Sequence, residues 1–139
     1  MSLSTVNRLQ ENLYQLLSSD PELSGRLSGV FDHVPERAKL PYLAIGDMSV
    51  RDWSAKDFTG QEVLFDLHLW SGRSGHLEIR ELADLLHDLV TAGALQGDGL
   101  QVASLQFVFF ETFFETDGRI RQGVMRYRAR ILAGEENDN

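Results

Sequence analysis

The chain is expected to form one α+β domain over residues 1–133: a largely antiparallel or mixed sheet of about 4–5 strands, two main helices packed on one face and a long C-terminal β-hairpin. Three observations predict it. Residues 5–18 and the stretch after Ser74 repeat apolar side chains at helical spacing. Residues 61–71 alternate Val63, Phe65, Leu67 and Leu69 with polar neighbours. The last third holds two β-rich runs separated by Asp117-Gly118.

In order, Val6, Leu9, Leu13, Leu16 and Leu17 define the first helix, with Ser4 or Thr5 placed to cap it. Asp20-Pro21-Glu22 supplies an N-cap, a first-turn proline and an acid facing the dipole, so a second helix starts there; Gly25 and Gly29 keep it short. Val30-Phe31 and Tyr42-Leu43-Ala44-Ile45 are short strands flanking a polar loop with Pro35 and Pro41. Residues 46–60 lack periodicity and read mostly as an extended loop. After the 61–71 strand, Ser74 opens a helix whose stripe is Ile79, Leu82, Ala83, Leu86, Leu89 and Val90, and Gly93 stops it.

The hairpin strands span 101–116 and 120–132. Leu105, Phe107 and Phe109 share one face of the first, and Met125, Tyr127, Ala129 and Ile131 one face of the second. A two-residue loop sets Phe109 opposite Arg126 and Phe107 opposite Arg128. An odd loop over 117–119 sets Phe107 opposite Ala129 and matches the apolar rows, so it is preferred. The acidic tail 134–139 is expected to be disordered.

Composition narrows the function. The chain has 139 residues, 42% of them hydrophobic, enough for a packed core. With no Cys, a disulfide framework, a thiolate metal site and a Cys nucleophile are all excluded, which fits a reducing compartment. The N-terminus lacks the pattern of a signal peptide, and no apolar run reaches the ~20 residues needed to cross a bilayer, so a soluble protein is expected. The net charge of −8 repels nucleic acid and anionic membrane as a whole. Yet residues 119–132 hold five Arg and no acid. Such a segment calls for a specific negative partner, in the fold or on a neighbour.

Taken together, the ordered stretches Phe31-Asp32-His33-Val34-Pro35, Leu40-Pro41-Tyr42-Leu43-Ala44-Ile45-Gly46, Asp52-Trp53, Thr59-Gly60-Gln61-Glu62-Val63 and Leu69-Trp70-Ser71 resemble the phage tail terminator and tail-completion family. Asp117-Gly118, Arg121 and Gly123-Val124-Met125-Arg126-Tyr127-Arg128-Ala129 complete the resemblance. It covers about residues 27–130, with the first helix similar only in character. The resemblance implies a ring, hexameric in the assembled particle, that terminates the tail tube and joins it to a head-side connector in phages and gene transfer agents. The implied partners are further copies of the chain, the tail tube protein and the connector or stopper. Membrane plays no part, and DNA is only cargo passing through the ring. The chain would be made in the bacterial host cytoplasm and end in the tail or neck of the particle. An isolated subunit is compatible with a monomer. The family offers no catalytic motif, so no catalytic residue, cofactor or metal is expected. The rivals are a non-phage adaptor of the same fold and a hydrolase using Asp/His pairs.

Arg126, Arg128 and Arg130 line one strand face. They are either a solvated face neutralised by cross-strand acids such as Glu62 and Asp66, or part of a contact between subunits. The same face is expected to carry Leu64, Trp70, Val108 and Phe110, and Arg mixed with aromatics is typical of interface centres, which favours the contact. Trp53, with Lys56 and Phe58 nearby, either plugs the core edge or reaches a neighbour, and both readings stand at this point. The expected interface residues are therefore Trp53, Lys56, Phe58, Trp70, Phe110, Arg126, Arg128 and Arg130. Asp84, His87 and His76, or Asp66 and His68, do not make three metal ligands at a recognised spacing and read as polar faces. Asp32-His33 beside Glu36 reads as a turn before Pro35. Gly72-Arg73-Ser74-Gly75 reads as a helix start more than an anion cradle.

Overall fold

A computed structural model describes residues 3–73, 75–93, 95, 99–115 and 119–132. The expected opening of the helix at Ser74, the Asp117-Gly118 turn and the acidic tail lie outside the described residues. Among the described residues three helices and five strands follow in the order α1 (Ser4–Ser19), α2 (Pro21–Arg26), β1 (Val30–Phe31), β2 (Tyr42–Asp52), β3 (Gly60–Ser71), α3 (Leu77–Thr91), β4 (Gln101–Phe114) and β5 (Arg121–Leu132). The strands form one mixed sheet, β1-β2-β3-β5-β4, with β1 parallel to β2 and all other neighbours antiparallel. The α+β class holds, with a mixed sheet and a C-terminal hairpin.

The core lies between the helices and one face of this sheet. α1 buries Leu9, Leu13 and Leu17, one apolar side chain per turn, and α3 buries Ile79, Leu82, Ala83, Leu86 and Val90. β3 and β5 present Val63, Phe65, Leu67, Leu69, Met125, Tyr127, Ala129 and Ile131 to the same cluster. Each fully buried Leu or Phe contributes roughly 1.5–3 kcal/mol. α1 begins at Leu3 without a side-chain cap, so neither Ser4 nor Thr5 takes the expected role. Asp20 does cap α2, accepting the Leu23 N–H at 2.9 Å. Beyond the end of α3, Gly93 adopts φ +88°, a left-handed turn that β-carbon-bearing residues avoid.

Two bulges correct the strand reading. β2 continues to Asp52, so residues 46–60 are not a loop in their first half. Ile45 pairs with Leu67 but Met48 with Phe65, so Gly46 and Asp47 together oppose Asp66. The bulge moves the inward residues from odd positions, Leu43 and Ile45, to even ones, Met48 and Val50. That phase jump erases the period-2 signal. A β-carbon at Gly46 would lie 2.6 Å from the His68 ring, so a larger residue there would have to push that ring aside.

The hairpin carries the second correction. Phe114 pairs with Arg121 and Phe109 with Arg126, the register of the rejected two-residue loop. The apolar match is restored instead by a bulge at Val108, after which Phe107 opposes Tyr127 and Leu105 opposes Ala129. Phe109 therefore sits on the face away from the helices. Phe110, opposite Met125, packs on the core. Phe107 keeps the core face but is 47% exposed, because β4 is the sheet edge.

This placement predicts that Phe110→Ala destabilises by about 2 kcal/mol and Phe109→Ala by under ~1 kcal/mol, read from urea midpoints at constant m. The reverse order would contradict the register.

Tyr127 is fully buried, with its hydroxyl 2.8 Å from His87 Nδ1. Burial, and secondarily the charge of Asp88, push its phenol well above the ordinary value. The fold thus favours the protonated form. Above pH ~10 the unfolded chain loses this proton while the native state keeps it, so stability falls as pH rises. Tyr127→Phe should cost about 1 kcal/mol at neutral pH yet show a shallower decline above pH ~10. Parallel stability curves for the two proteins in alkali would refute this.

Candidate assembly interface

Strand alternation leaves the second sheet face to the even-numbered residues of β3 and β5, and none of the three helices packs over their row. Register places the side chains in rows across the strands. At one end Tyr42, Trp70, Gln122 and Phe113 lie side by side; at the other, Arg51, Glu62, Arg130 and Ser104. The face thus has an aromatic half and a charged half.

In the aromatic half Tyr42 stacks on Trp70 at 5.0 Å between ring centroids, Phe31 meets Tyr42 edge-on at 5.9 Å, and His68 stacks on Trp70 at 5.7 Å. Gln122 Nε2 lies 3.1 Å from His68 Nδ1 and orients that ring. Desolvation, then the charge of Glu115, raises the Tyr42 phenol above its ordinary value. All of these rings are only partly buried. Aromatics bury 150–250 Å² each when covered, so the half-open cluster is apolar surface available to a partner.

In the charged half Arg126 grips Asp66 with two hydrogen bonds, Nε to Oδ1 at 2.7 Å and Nη2 to Oδ2 at 3.0 Å. Glu62 stands between Arg128, at 3.6 Å, and Arg130, at 3.4 Å. Arg128 also donates to Gln106 Oε1 at 3.1 Å. The hydrogen bond from Arg126 to Asp66 and the charge of that carboxylate raise the guanidinium's pKa further, so the guanidinium stays charged throughout the ordinary pH range. The acids for this Arg row come from β3 of the same chain. Of the two sources of negative charge expected for this segment, the fold itself supplies Asp66 and Glu62, the cross-strand acids the sequence named.

The expected interface residues separate into three groups. Arg126, Arg128, Arg130 and Trp70 share the open face. Trp53 joins its edge: the ring lies 5.1 Å from Phe58, and the Arg130 guanidinium sits 5.3 Å from its centre. The segment with Trp53, Lys56 and Phe58 is a tight turn, not a free arm. Trp53 N–H donates to Gly60 O at 2.9 Å, Ala55 bridges Phe58, and Ser54 accepts the Gly60 N–H at 3.1 Å. A β-carbon on Gly60 would stand 2.7 Å from Trp53 O, so only glycine lets the turn close. Phe110 falls on the core face and leaves the set. Val108 is the bulge residue, and Leu64 remains on the open face. The sequence missed Phe109, whose ring lies 5.0 Å from the Arg126 guanidinium, and Phe113; the Val108 bulge hid both.

The Asp/His pairs are engaged elsewhere. Asp66 holds Arg126, His87 bonds Tyr127, and Asp32 accepts from Gln10 at 2.6 Å. Arg121, then burial and Arg80, lower the pKa of His76, a cationic setting that repels metal. Among the described residues no three His, Cys, Asp or Glu side chains cluster to hold a metal, and no helix is long and apolar enough to cross a membrane. Arg73 reaches Glu78 at 3.9 Å.

Exposed ion pairs stabilise little. A double-mutant cycle of Arg126→Ala and Asp66→Ala should give a coupling of about 0.5–1 kcal/mol that shrinks between 0.05 and ~0.5 M salt. A coupling above ~3 kcal/mol would mean the pair is buried.

Comparison with known proteins gives this geometry its context. The family model described as "Tail completion protein gp17" matches residues 11–132. Tail completion protein gp17 of Bacillus phage SPP1 is 24% identical over 123 residues, covering 88% of this chain and 91% of that protein. A chain in the solved virion of a native gene transfer agent particle superposes with TM-score 0.83 at 22% identity, covering 95% of this chain and 100% of its own. The structure of bacteriophage SPP1 gp17 superposes with TM-score 0.65 at 21% identity, covering 99% and 96%. These two superpositions speak for the fold, and the sequence match speaks for the family: the chain belongs to the tail completion protein gp17 family.

Proposed function

We propose that the chain works by assembly and not by catalysis: copies of it close into a ring at the head-proximal end of a tail, end the tail tube and join it to the head-side connector. The observation that carries this reading is the family match over residues 11–132, a span that reaches from within α1 to the last residue of β5. The open sheet face supports it, because a half-covered aromatic cluster beside an ordered Arg row is surface suited to a partner. On this reading Trp53, Lys56, Phe58, Trp70, Arg126, Arg128 and Arg130 lie in contacts between subunits or between the ring and its neighbours. Phe109 replaces Phe110 in that set. The partners are further copies, six in the assembled ring, the tail tube protein and the connector, with DNA as passing cargo.

Removing the gene from a producing strain tests the reading directly. Electron microscopy should show tails of irregular length and heads without tails, restored by the natural chain supplied in trans. Arg128→Glu and Trp53→Ala should each restore fewer complete particles while the purified subunit melts as the natural one does. Full restoration by both variants would take these residues out of the interface. Complete, normal-length particles without the gene would reject the function.

A further inference from the structure

The sheet ends in β4, and that edge is unusually open to pairing. Edge strands are ordinarily protected by charge, proline or bulges. β4 has bulges at Ala103 and Val108, which disrupt its ladder up to that point. Beyond them Phe109 to Phe114 runs unbroken, with no Pro, Lys or Arg and one charge, Glu111. Phe113 and Phe114 in this run are 45% and 44% exposed.

The same sheet has a second open stretch on its far side. β1 pairs with β2 only at Leu43 and Ala44, so no described strand covers β2 from Met48 to Asp52. The directions fit. β3 is antiparallel to β2, β5 to β3 and β4 to β5, so β4 runs antiparallel to β2. A second copy that continues the sheet therefore meets the β4 edge with an antiparallel β2, the pairing that antiparallel ladders favour.

Charge and face select the register. Glu111 and Arg51 both stand on the open face, both are exposed, and neither makes an ion pair among the described residues. Setting Glu111 opposite Arg51 of a second copy also sets Phe114 opposite Met48 and Thr112 opposite Val50, all on the helix-covered face. A slip of one residue would break every one of these matches.

We propose that the β4 run from Phe109 to Phe114 adds to the β2 edge of a second copy, antiparallel and with Glu111 facing Arg51, so that one sheet continues from subunit to subunit. The inference deepens the ring reading and rests on it. The two edges differ, so the contact is head-to-tail and can close a ring. Glu111 and Arg51 lie at different heights in the sheet, which staggers neighbouring copies as tilted strands in a closed barrel require.

The chain contains no Cys, so an introduced pair reports the contact cleanly. Arg51→Cys and Glu111→Cys are combined in one chain, expressed in a strain lacking the natural copy, and the assembled particles are oxidised. The expected result is a ladder of cross-linked multimers on non-reducing gels, with each single variant remaining monomeric. In parallel, Glu111→Arg alone should lower the yield of complete particles about tenfold or more, because it faces Arg51 with a like charge. Adding Arg51→Glu should restore the yield to within about threefold. A dimer from Glu111→Cys alone would mean two β4 edges pair with each other and would overturn the proposal. A cross-link to a chain of different mass would place a strand of the tube or connector there and overturn it too. Rings of normal diameter without the 51–111 cross-link would reject the continuous sheet while leaving the ring reading intact. Particles with no ring at all would reject both.

Discussion

The pairing of β3 with β5 is the constraint on which the rest of the molecule depends. It runs without a bulge from Gly60↔Leu132 to Ser71↔Arg121, and every second residue of both strands is buried. Side chains in a strand alternate strictly, so burying that row against α1 and α3 forces the opposite row into the open. Arg126, Arg128, Arg130 and Trp70 are therefore turned to the open face by the same interaction that buries Tyr127 and Phe65. A one-residue slip would place three guanidinium groups in the core, a far larger penalty than any surface contact could offset. The make-up of the open face follows directly from the central register.

That register also explains a charge pattern that composition leaves unexplained. A run of five Arg in an acidic chain suggests an external anion, and whole-chain charge argues against one. Cross-strand neighbours answer the question: Asp66 stands opposite Arg126, and Glu62 opposite Arg130 with Arg128 beside it. The Arg row is a local lattice, closed mostly by acids 60 or more positions away in sequence. Such pairs contribute little to stability, but they hold the guanidinium groups in a fixed pattern on the open face.

How much was legible in the sequence follows from where alternation is unbroken. β3, β5, the stripe of α3 and the Asp20 cap could all be read, because a single period or a local hydrogen bond specifies each. The second half of β2 and the faces of Phe109 and Phe110 could not. At Gly46-Asp47 and at Val108 one extra residue reverses which parity points inward, and the alternation gives no sign of the reversal. Phe107 shows a different limit. Its face was assigned correctly, but its burial depends on whether another strand lies beyond β4, and a local pattern carries no information about sheet order. The open-face members Trp70, Arg126, Arg128 and Arg130 were legible because they belong to the unbroken pair, whereas Phe110 was misplaced because it follows a bulge.

The bulges that obscure the sequence also shape how the subunit can associate. An uninterrupted fourteen-residue edge strand with exposed Phe107, Val108, Phe113 and Phe114 would be an aggregation hazard in a free monomer. With the ladder broken at Ala103 and Val108, only the run after Val108 remains regular, too short to hold two copies together with strength. The open face adds ion pairs and half-covered rings, each a weak contact on its own. In the proposed ring, weak contacts of this kind would act together once several copies are held side by side, because each later contact forms at high effective concentration. If the proposed ring forms, one interrupted edge and one self-neutralised face suit a subunit that assembles only beside further copies, while the core that holds the fold together lies on the helix-covered face.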